Sequence, residues 1–256
     1  MMISKNQIKY VKQLALKKNR RQEGAFVAEG PKVVGDLLDA GFRPRLLFAL
    51  SVWNSRGFDC QEVSDEELRR VSFLQHPQQV LGIFELPTIH NSLTSKAAEP
   101  SAQFTIHNSQ FPTLSLALDG VQDPGNLGTI IRIADWFGIK DIYCSEDTAD
   151  AWSPKVVQAT MGSIARVNII YTDLKELILK ARVPVYGTLL DGDNIYTSSL
   201  TANGIIVMGN EGNGISQDIR RLITHKLRIP QFHEGPESLN VAIATAITCS
   251  EFKRRL

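Results

Sequence analysis

The regular alternation of short apolar segments with helical patterns in the second half of the chain constrains its fold most strongly. Short apolar strands that alternate with amphipathic helices form parallel sheets covered on both faces, so this half predicts an α/β domain. In such sheets, ligands bind beyond the carboxyl ends of the strands. The predicted strands are 114–119, 141–145, 167–171, 183–190, 204–209 and 226–230, and the predicted helices are 127–137, 154–162, 173–181, 216–223 and 238–254.

A smaller α/β module precedes this domain. Two helices and two buried strands are predicted there from apolar periodicity, at 32–41, 65–74, 45–50 and 80–86. The polar stretch that follows is rich in Ser, Thr, Asn and Ala, which is typical of a linker. We therefore predict a small α/β domain at 1–87, a linker at 88–112 and the larger α/β domain at 113–256.

The net charge of +1 conceals a strongly basic amino-terminal segment. Residues 1–21 carry seven basic side chains and no acidic one, which leaves the rest of the chain at −6. A basic segment on a mildly acidic body favours contact with a polyanion such as RNA. The apolar stripe from Ile8 to Leu16 is equally compatible with an ordinary helix whose charged face is solvated. The basic residues are Lys5, Lys9, Lys12, Lys17, Lys18, Arg20 and Arg21.

Several classes of protein do not fit this sequence. No apolar run approaches the roughly 20 residues that a membrane span needs, and the first residues lack an apolar signal core. The three cysteines, Cys60, Cys144 and Cys249, are too few and too widely spaced for a disulfide framework or a zinc site. We therefore expect a cytoplasmic protein that binds no metal and no membrane.

The first of three notable loops spans residues 119–128, between a predicted strand and the next helix. Gly125 and Gly128 permit close approach of the backbone, and Asn126 is a predicted N-cap. Arg132 falls outside the apolar stripe of that helix, near its start, where an anion would meet free amides and a guanidinium. An ordinary surface arginine is the alternative interpretation. The spacing of the glycines is not that of a dinucleotide-binding fingerprint.

The second loop follows the predicted strand 204–209. Gly209, Gly212 and Gly214 surround a single carboxylate, Glu211, within a few residues. Such glycine density indicates either a ligand-binding loop or a tight turn. A phosphate-binding P-loop is excluded, because no Lys-Ser or Lys-Thr pair follows the last glycine.

The third loop leads into the last predicted helix. Ser238 is its predicted N-cap, and Asn240 is predicted to lie in the first turn with its amide toward a ligand. A capped helix start without a ligand is the alternative interpretation.

Taken together, the three loops resemble the three motifs of the SpoU (TrmH-like) branch of the SPOUT methyltransferases. The order and spacing agree over residues 114–256, and helix 154–162 is similar to the family's second helix. Residues 21–30 resemble, more loosely, its amino-terminal substrate-binding domain. The matching segments are Asn126-Leu-Gly-Thr-Ile-Ile-Arg132, Gly209-Asn-Glu-Gly-Asn-Gly214 and Ser238-Leu-Asn-Val241.

The resemblance implies a fold, a cofactor and an assembly. The carboxyl-terminal part of the sheet would thread into a deep trefoil knot, an exception to the usual un-knotted topology. S-adenosylmethionine would lie in the knot, and two chains of a homodimer would form the site. The implied cofactor contacts are Thr188, Leu189, Leu190, Met208, Gly209, Asn210, Gly212, Gly214, Ile229 and Leu239.

The implied reaction is methyl transfer to a ribose 2′-hydroxyl of RNA. Arg132 would activate the hydroxyl, and a guanidinium with a pKa above about 12 is a poor base. We therefore interpret Arg132 as a group that stabilises the developing alkoxide and holds the adjoining phosphate. Asn126, Glu211, Ser238 and Asn240 would orient Arg132 and the ribose.

The resemblance also favours ribosomal RNA over transfer RNA, because a separate amino-terminal domain is commoner among ribosomal RNA enzymes of the family. Two alternatives are a non-catalytic RNA-binding protein on the same scaffold and, less favoured, a nucleotide-binding oxidoreductase. The chain departs from the family pattern at Ala242, where many relatives have serine, and in the longer loop 229–235. Both departures affect the expected rim of the cofactor site.

Overall fold

The computed structural model describes residues 2–87, 113–233 and 238–255, which form two units. The predicted linker 88–112 lies outside the described residues. The first unit contains residues 2–87 together with 150–166, and the second contains the remainder. Residues 150–166 thus belong by their contacts to the first unit, although the sequence pattern predicts them within the larger domain.

The elements are numbered in chain order. The helices are α1 Lys5–Gln13, α2 Lys17–Glu23, α3 Pro31–Asp39, α4 Asp65–Val71, α5 Pro124–Trp136, α6 Pro154–Ala159, α7 Leu174–Ala181, α8 Gln217–Arg220 and α9 Val241–Arg254. The strands are β1 Ala25–Glu29, β2 Pro44–Ala49, β3 Gln61–Glu62, β4 Val80–Glu85, β5 Leu114–Asp119, β6 Asp141–Cys144, β7 Asn168–Tyr171, β8 Val185–Asn194, β9 Gly204–Gly209 and β10 His225–Arg228.

The first unit is built on a four-stranded mixed sheet with the order β1-β4-β2-β3. β4 pairs antiparallel with both β1 and β2, and β3 pairs parallel with β2. The sequence pattern predicts β2 and β4 but not β1. All five residues of β1 are buried, and its apolar run of four residues is too short to distinguish a strand from a helix by periodicity.

The basic amino-terminal segment forms two helices rather than one. A capping box of Ser4 and Gln7 begins α1, and the chain leaves the helix at Leu14. Val11 and Leu14 are buried in the core of the first unit, whereas Leu16 is 62% exposed and starts α2 in an extended conformation. The predicted apolar stripe therefore ends at Leu14.

Aromatic packing attaches residues 150–166 to the first unit. The ring of Trp152 lies 4.7 Å from that of Phe26 on β1, centroid to centroid, and also contacts Phe42. An ion pair two residues before Trp152 reinforces this contact. There the carboxylate of Asp150 accepts a hydrogen bond from Arg20 at 2.5 Å. These contacts join residues that are far apart in sequence, so apolar periodicity could not reveal them.

The second unit has the parallel α/β architecture that the sequence pattern predicts. Its six strands have the order β10-β8-β9-β5-β6-β7, and every pairing is parallel. β5 lies between β6 and β9, so the strand order reverses there, and open α/β sheets bind ligands beyond the carboxyl ends of the strands at such a point. The register pairs Asp119 with Gly209, which places the first and second loops side by side. The trefoil knot stays a prediction.

Most of the predicted elements of this unit are confirmed, with shifted ends. β5 and β9 have the predicted bounds, β8 is longer than predicted, and α8 is a single turn. The three cysteines are free thiols. Within the described ranges, no helix is long and apolar enough to cross a membrane, and no group of three His, Cys, Asp or Glu side chains could hold a metal ion.

Candidate active site

The glycine-rich loop after β9 is a tight hairpin closed by Asn210 and Gly214. Their backbones exchange hydrogen bonds of 2.9 and 3.0 Å. The side chain of Asn210 accepts from the N–H groups of Gly212 and Asn213, and it donates to the carbonyl of Gly120 at 2.7 Å. A Cβ on Gly209 would lie 2.2 Å from the carbonyl carbon of Gly214, so only glycine fits there. The glycines therefore permit close packing of the backbone on itself.

Glu211 projects from this hairpin to the start of α5. Its carboxylate accepts hydrogen bonds from the Nδ2 of Asn126 at 3.0 Å and from the N–H groups of Asp123 and Gln122 at 3.1 and 3.2 Å. Burial opposes ionisation, but these donors outweigh it and lower the pKa of Glu211. The ionised carboxylate thus binds at the positive end of the helix dipole.

The caps of two helices differ from the prediction. Asp123, not Asn126, caps α5, because its carboxylate accepts from the N–H of Asn126 at 2.8 Å. Asn240, not Ser238, caps α9, and its Oδ1 accepts from Ala242 and Ile243. Capping leaves the Asn240 Nδ2 free to donate to the Oδ1 of Asn126 at 2.9 Å. Glu211, Asn126 and Asn240 therefore form one network of hydrogen bonds.

A cavity of about 510 Å³ opens beside this hydrogen-bond network, at the carboxyl ends of β8, β9 and β10. Its lining includes all ten residues that the family resemblance assigns to the cofactor, together with Glu211 and Ser238. The ten are Thr188, Leu189, Leu190, Met208, Gly209, Asn210, Gly212, Gly214, Ile229 and Leu239. Residues from three strand ends thus meet at one opening, as expected for a parallel sheet.

Charged residues that the sequence analysis missed also line the cavity. Asp191 accepts hydrogen bonds from Lys226 and Arg220 at 3.1 and 2.6 Å, and these cations lower the pKa of Asp191. Arg228 lies nearby on β10. The sequence does contain a signal for Asp191, because this residue directly follows the predicted strand 183–190. Polar residues in that position lie at the ligand-binding edge of a parallel sheet.

Arg132 lies apart from the cavity. It is an exposed residue of α5, and within the described ranges its side chain makes no hydrogen bond or ion pair and does not line the opening. Trp136, one helical turn further on, is 85% exposed. The structure thus brings Glu211, Asn126 and Asn240 together and leaves Arg132 on the surface.

The basic residues of the amino-terminal segment fall into different environments. Lys5, Lys9, Lys18 and Arg21 are exposed, Lys17 is half-buried, and Lys12 donates to the carbonyl of Ser72. Arg20 is the correction: it is 2% exposed, and its guanidinium donates to two backbone carbonyls and to Asp150. Because its guanidinium is buried and paired with Asp150 inside the unit, Arg20 does not belong to an RNA-contacting surface.

Comparison with known proteins assigns the family. A family model described as the SpoU rRNA Methylase family matches residues 113–250, and one described as the MRM3-like substrate binding domain matches residues 5–82. The chain is 29% identical to the 23S rRNA (guanosine(2553)-2′-O)-methyltransferase RlmP of Bacillus subtilis, over 95% of each protein.

Two solved structures are similar along the whole chain. One is a TrmH-family protein from Porphyromonas gingivalis, with 39% identity, full coverage of both chains and a TM-score of 0.84. The other is an AdoMet-bound rRNA methyltransferase from Sinorhizobium meliloti, with 33% identity, coverage of 100% of this chain and 97% of that one, and a TM-score of 0.82. On its motifs, its parallel sheet and a family match over more than half of its length, the chain belongs to the SpoU rRNA methylase family.

Proposed function

We propose that this protein transfers a methyl group from S-adenosylmethionine to a ribose 2′-hydroxyl of ribosomal RNA in the cytoplasm. The observation that carries the proposal is the cavity at the strand ends, bordered by the glycine-rich hairpin and the hydrogen-bond network of Glu211, Asn126 and Asn240. Its volume lies within the roughly 300–1,000 Å³ of typical small-molecule sites. RlmP carries the name of a 23S rRNA 2′-O-methyltransferase, and it aligns with both units. This similarity supports ribosomal RNA rather than transfer RNA as the proposed substrate.

The residues around the cavity suit this cofactor. S-adenosylmethionine supplies a methyl group on a sulfonium, and the product is a neutral thioether. The backbone groups of 208–214 and 188–190 would bind it, with Ile229 and Leu239 as apolar contacts. An aligned hydroxyl can account for about 7–11 kcal/mol of the barrier, so rigid placement of these loops matters.

We infer that a second copy of the chain completes the site. Arg132 is exposed and does not line the cavity of its own chain, so the arginine that meets the reacting hydroxyl would come from the partner. The surface near Arg132 suits a homodimer contact: α5 packs on α9, and both expose apolar residues, Trp136 at 85% and Ile243 at 52%. Exposed apolar patches mark association surfaces, and these two side chains lie on neighbouring helices.

Mixing two inactive variants tests the shared site. Arg132→Ala lacks the arginine, and Leu239→Trp fills the cavity. If each site combines one cavity with the partner's Arg132, random exchange of subunits restores about a quarter of the wild-type activity. A mixture as inactive as its components would contradict the shared site. Sedimentation of wild type and Trp136→Lys gives the oligomeric state independently.

Mapping of 2′-O-methyl groups tests the reaction. Unmodified ribosomal RNA and transfer RNA transcripts are incubated with the protein and S-adenosylmethionine, and the methylated nucleotide is located by mass spectrometry. A new 2′-O-methyl group in ribosomal RNA is expected, and it should be absent without the cofactor. RNA binding without methylation would support the non-catalytic alternative instead.

The exposed basic residues of α1 and α2 are the proposed amino-terminal RNA contacts. Lys5, Lys9, Lys18 and Arg21 keep this role, because their charges reach solvent. Deletion of residues 1–21 is an unsuitable test, since it would also remove Val11 and Leu14 from the core. Substitution of Lys5, Lys9, Lys18 and Arg21 by glutamine should weaken RNA binding and leave cofactor binding unchanged.

A further inference from the structure

A buried carboxylate in the first unit holds the segment that joins α4 to β4. Glu29 is 5% exposed, and its two oxygens accept hydrogen bonds from the N–H of Phe73 at 2.8 Å and from the hydroxyl of Ser72. Burial raises the pKa of Glu29 in spite of these donors. Since burying a carboxylate is costly without such bonds, the arrangement holds the backbone of the segment in one conformation.

Lys12 on α1 reaches the same segment. Its Nζ donates to the carbonyl of Ser72 at 2.5 Å and lies 4.9 Å from the ring centroid of Phe73. The N–H of Ile3 donates to Glu67, so the starts of α1 and α4 are adjacent. The bond from Lys12 to Ser72 shows that their carboxyl ends are adjacent too. The carboxyl ends of both helices therefore meet at residues 72–79.

The charge on this end of the unit is positive. α4 carries its acidic residues in the first turn and Arg69 and Arg70 in the last. Both arginines are exposed, and so are the neutral polar residues of the following segment. Those residues are Gln75, His76, Gln78 and Gln79. Cations beside amide and imidazole groups match a ligand that offers both phosphates and base edges.

We propose that the surface formed by Lys12, Arg69, Arg70 and residues 73–79 binds an unpaired stretch of the substrate RNA. This inference rests on the proposed function, which makes RNA the ligand. The cations contact phosphates, the exposed ring of His76 offers a stacking face, and the glutamine amides contact bases. Glu29 is a positioning residue, because it fixes the backbone of this surface without reaching solvent.

A charge substitution with a matched control tests the surface. The full-length Arg69→Ala/Arg70→Ala variant is compared with Arg43→Ala, which removes an exposed arginine at the other end of β4. The probe is transcribed 23S ribosomal RNA. The double variant should bind about tenfold more weakly near 0.1 M salt, with a salt slope shallower by about 1.4 for two phosphates on a single strand. Arg43→Ala should bind as wild type does.

A second variant tests the positioning role. Glu29→Gln should raise KM for RNA while kcat stays near wild type, and amide exchange at Phe73 and Leu74 should accelerate. Wild-type RNA affinity in both the double variant and Glu29→Gln, with methylation intact, would overturn the surface and leave the proposed function standing. Weakened RNA binding without any methyl transfer by wild type would overturn the proposed function and leave the surface standing.

Discussion

The Nδ2 of Asn240 donates a hydrogen bond of 2.9 Å to the Oδ1 of Asn126, although 114 residues separate them in sequence. Each asparagine also binds a second group: Asn240 caps α9, and Asn126 donates to Glu211. The amide of Asn126 must therefore have its oxygen toward Asn240 and its nitrogen toward Glu211. This single orientation links the starts of two helices to the glycine-rich hairpin.

Asn126→Ala should impair methyl transfer more than cofactor binding. The change removes a donor from Glu211 and an acceptor from Asn240, so the pKa of Glu211 should rise toward its ordinary value. Small misplacements at an active site cost about 10²-fold in rate, and we expect a loss of that order in kcat. Titration with S-adenosylmethionine and single-turnover methylation measure the two effects. Lys175→Ala, which changes an exposed residue of α7, is the control, and an equal loss there would refute this role.

Replacement of Arg132 should separate binding from chemistry. Arg132→Ala is expected to lower methylation by about 10²–10³-fold if the guanidinium stabilises developing charge. Arg132→Lys should recover little of this, because an ammonium lacks the planar set of donors. Cofactor affinity should be unchanged in both, as measured by calorimetry. Loss of cofactor affinity in both variants would contradict the electrostatic role.

Gly209→Ala should distort the cofactor cavity. The added Cβ would lie 2.2 Å from the backbone of Gly214, and no flexible side chain is available to move aside. We expect stability to fall by about 1–3 kcal/mol, as for other overpacked sites, and cofactor affinity to fall with it. Gly212→Ala is the control for stability, because the nearest contact of its added Cβ would be 3.6 Å away. Equal behaviour of the two variants would show that close approach at Gly209 is unimportant.

Arg20→Ala should destabilise the first unit. The side chains of Arg20 and Asp150 are 3% and 10% exposed, and removal of one partner from such a pair leaves a buried charge. Losses of about 3–5 kcal/mol are typical of that change. Denaturant unfolding measures it, and the exposed neighbour variant Arg21→Ala should lie within about 0.5 kcal/mol of wild type. A similar small effect for Arg20→Ala would contradict the structural role.

Glu251 should contribute stability that disappears in acid. Hydrogen bonds from Arg254 and then Arg255 lower the pKa of Glu251 from 4.5 to about 2. A carboxyl with a lowered folded-state pKa stabilises the protein above its unfolded value and loses that contribution as pH falls toward the folded value. Wild type should therefore exceed Glu251→Gln in unfolding free energy at pH 7, and the difference should shrink between about pH 4.5 and 2.

The exposed pair of Glu176 and Lys180 serves as the control for Glu251. Glu176 is 62% exposed, and surface pairs of this kind contribute little. Glu176→Gln should match wild type across the same pH range. A pH-independent difference for Glu251→Gln would contradict the role of its ionised form.

The sequence pattern predicts the α/β class well, because strands leave local signals, whereas the ten residues that line the cavity follow from the family resemblance. Apolar runs mark β5 and β9, and glycines mark the hairpin at 209–214. Helix starts were predicted less well: Asp123 and Asn240 cap the helices for which Asn126 and Ser238 were expected. Several polar residues near each start can serve as caps, and the choice depends on tertiary partners such as Glu211.

The sequence by itself thus determined the parallel sheet and, through its three motifs, the family. Only the tertiary structure decided the roles of individual charged residues. Arg20 and Lys18 look alike in a basic segment, yet the first is buried against Asp150 and the second faces solvent. The physical reason is that a charged side chain can be buried only where a partner binds it. Such partners are far away in sequence, and only folding brings them within hydrogen-bonding distance.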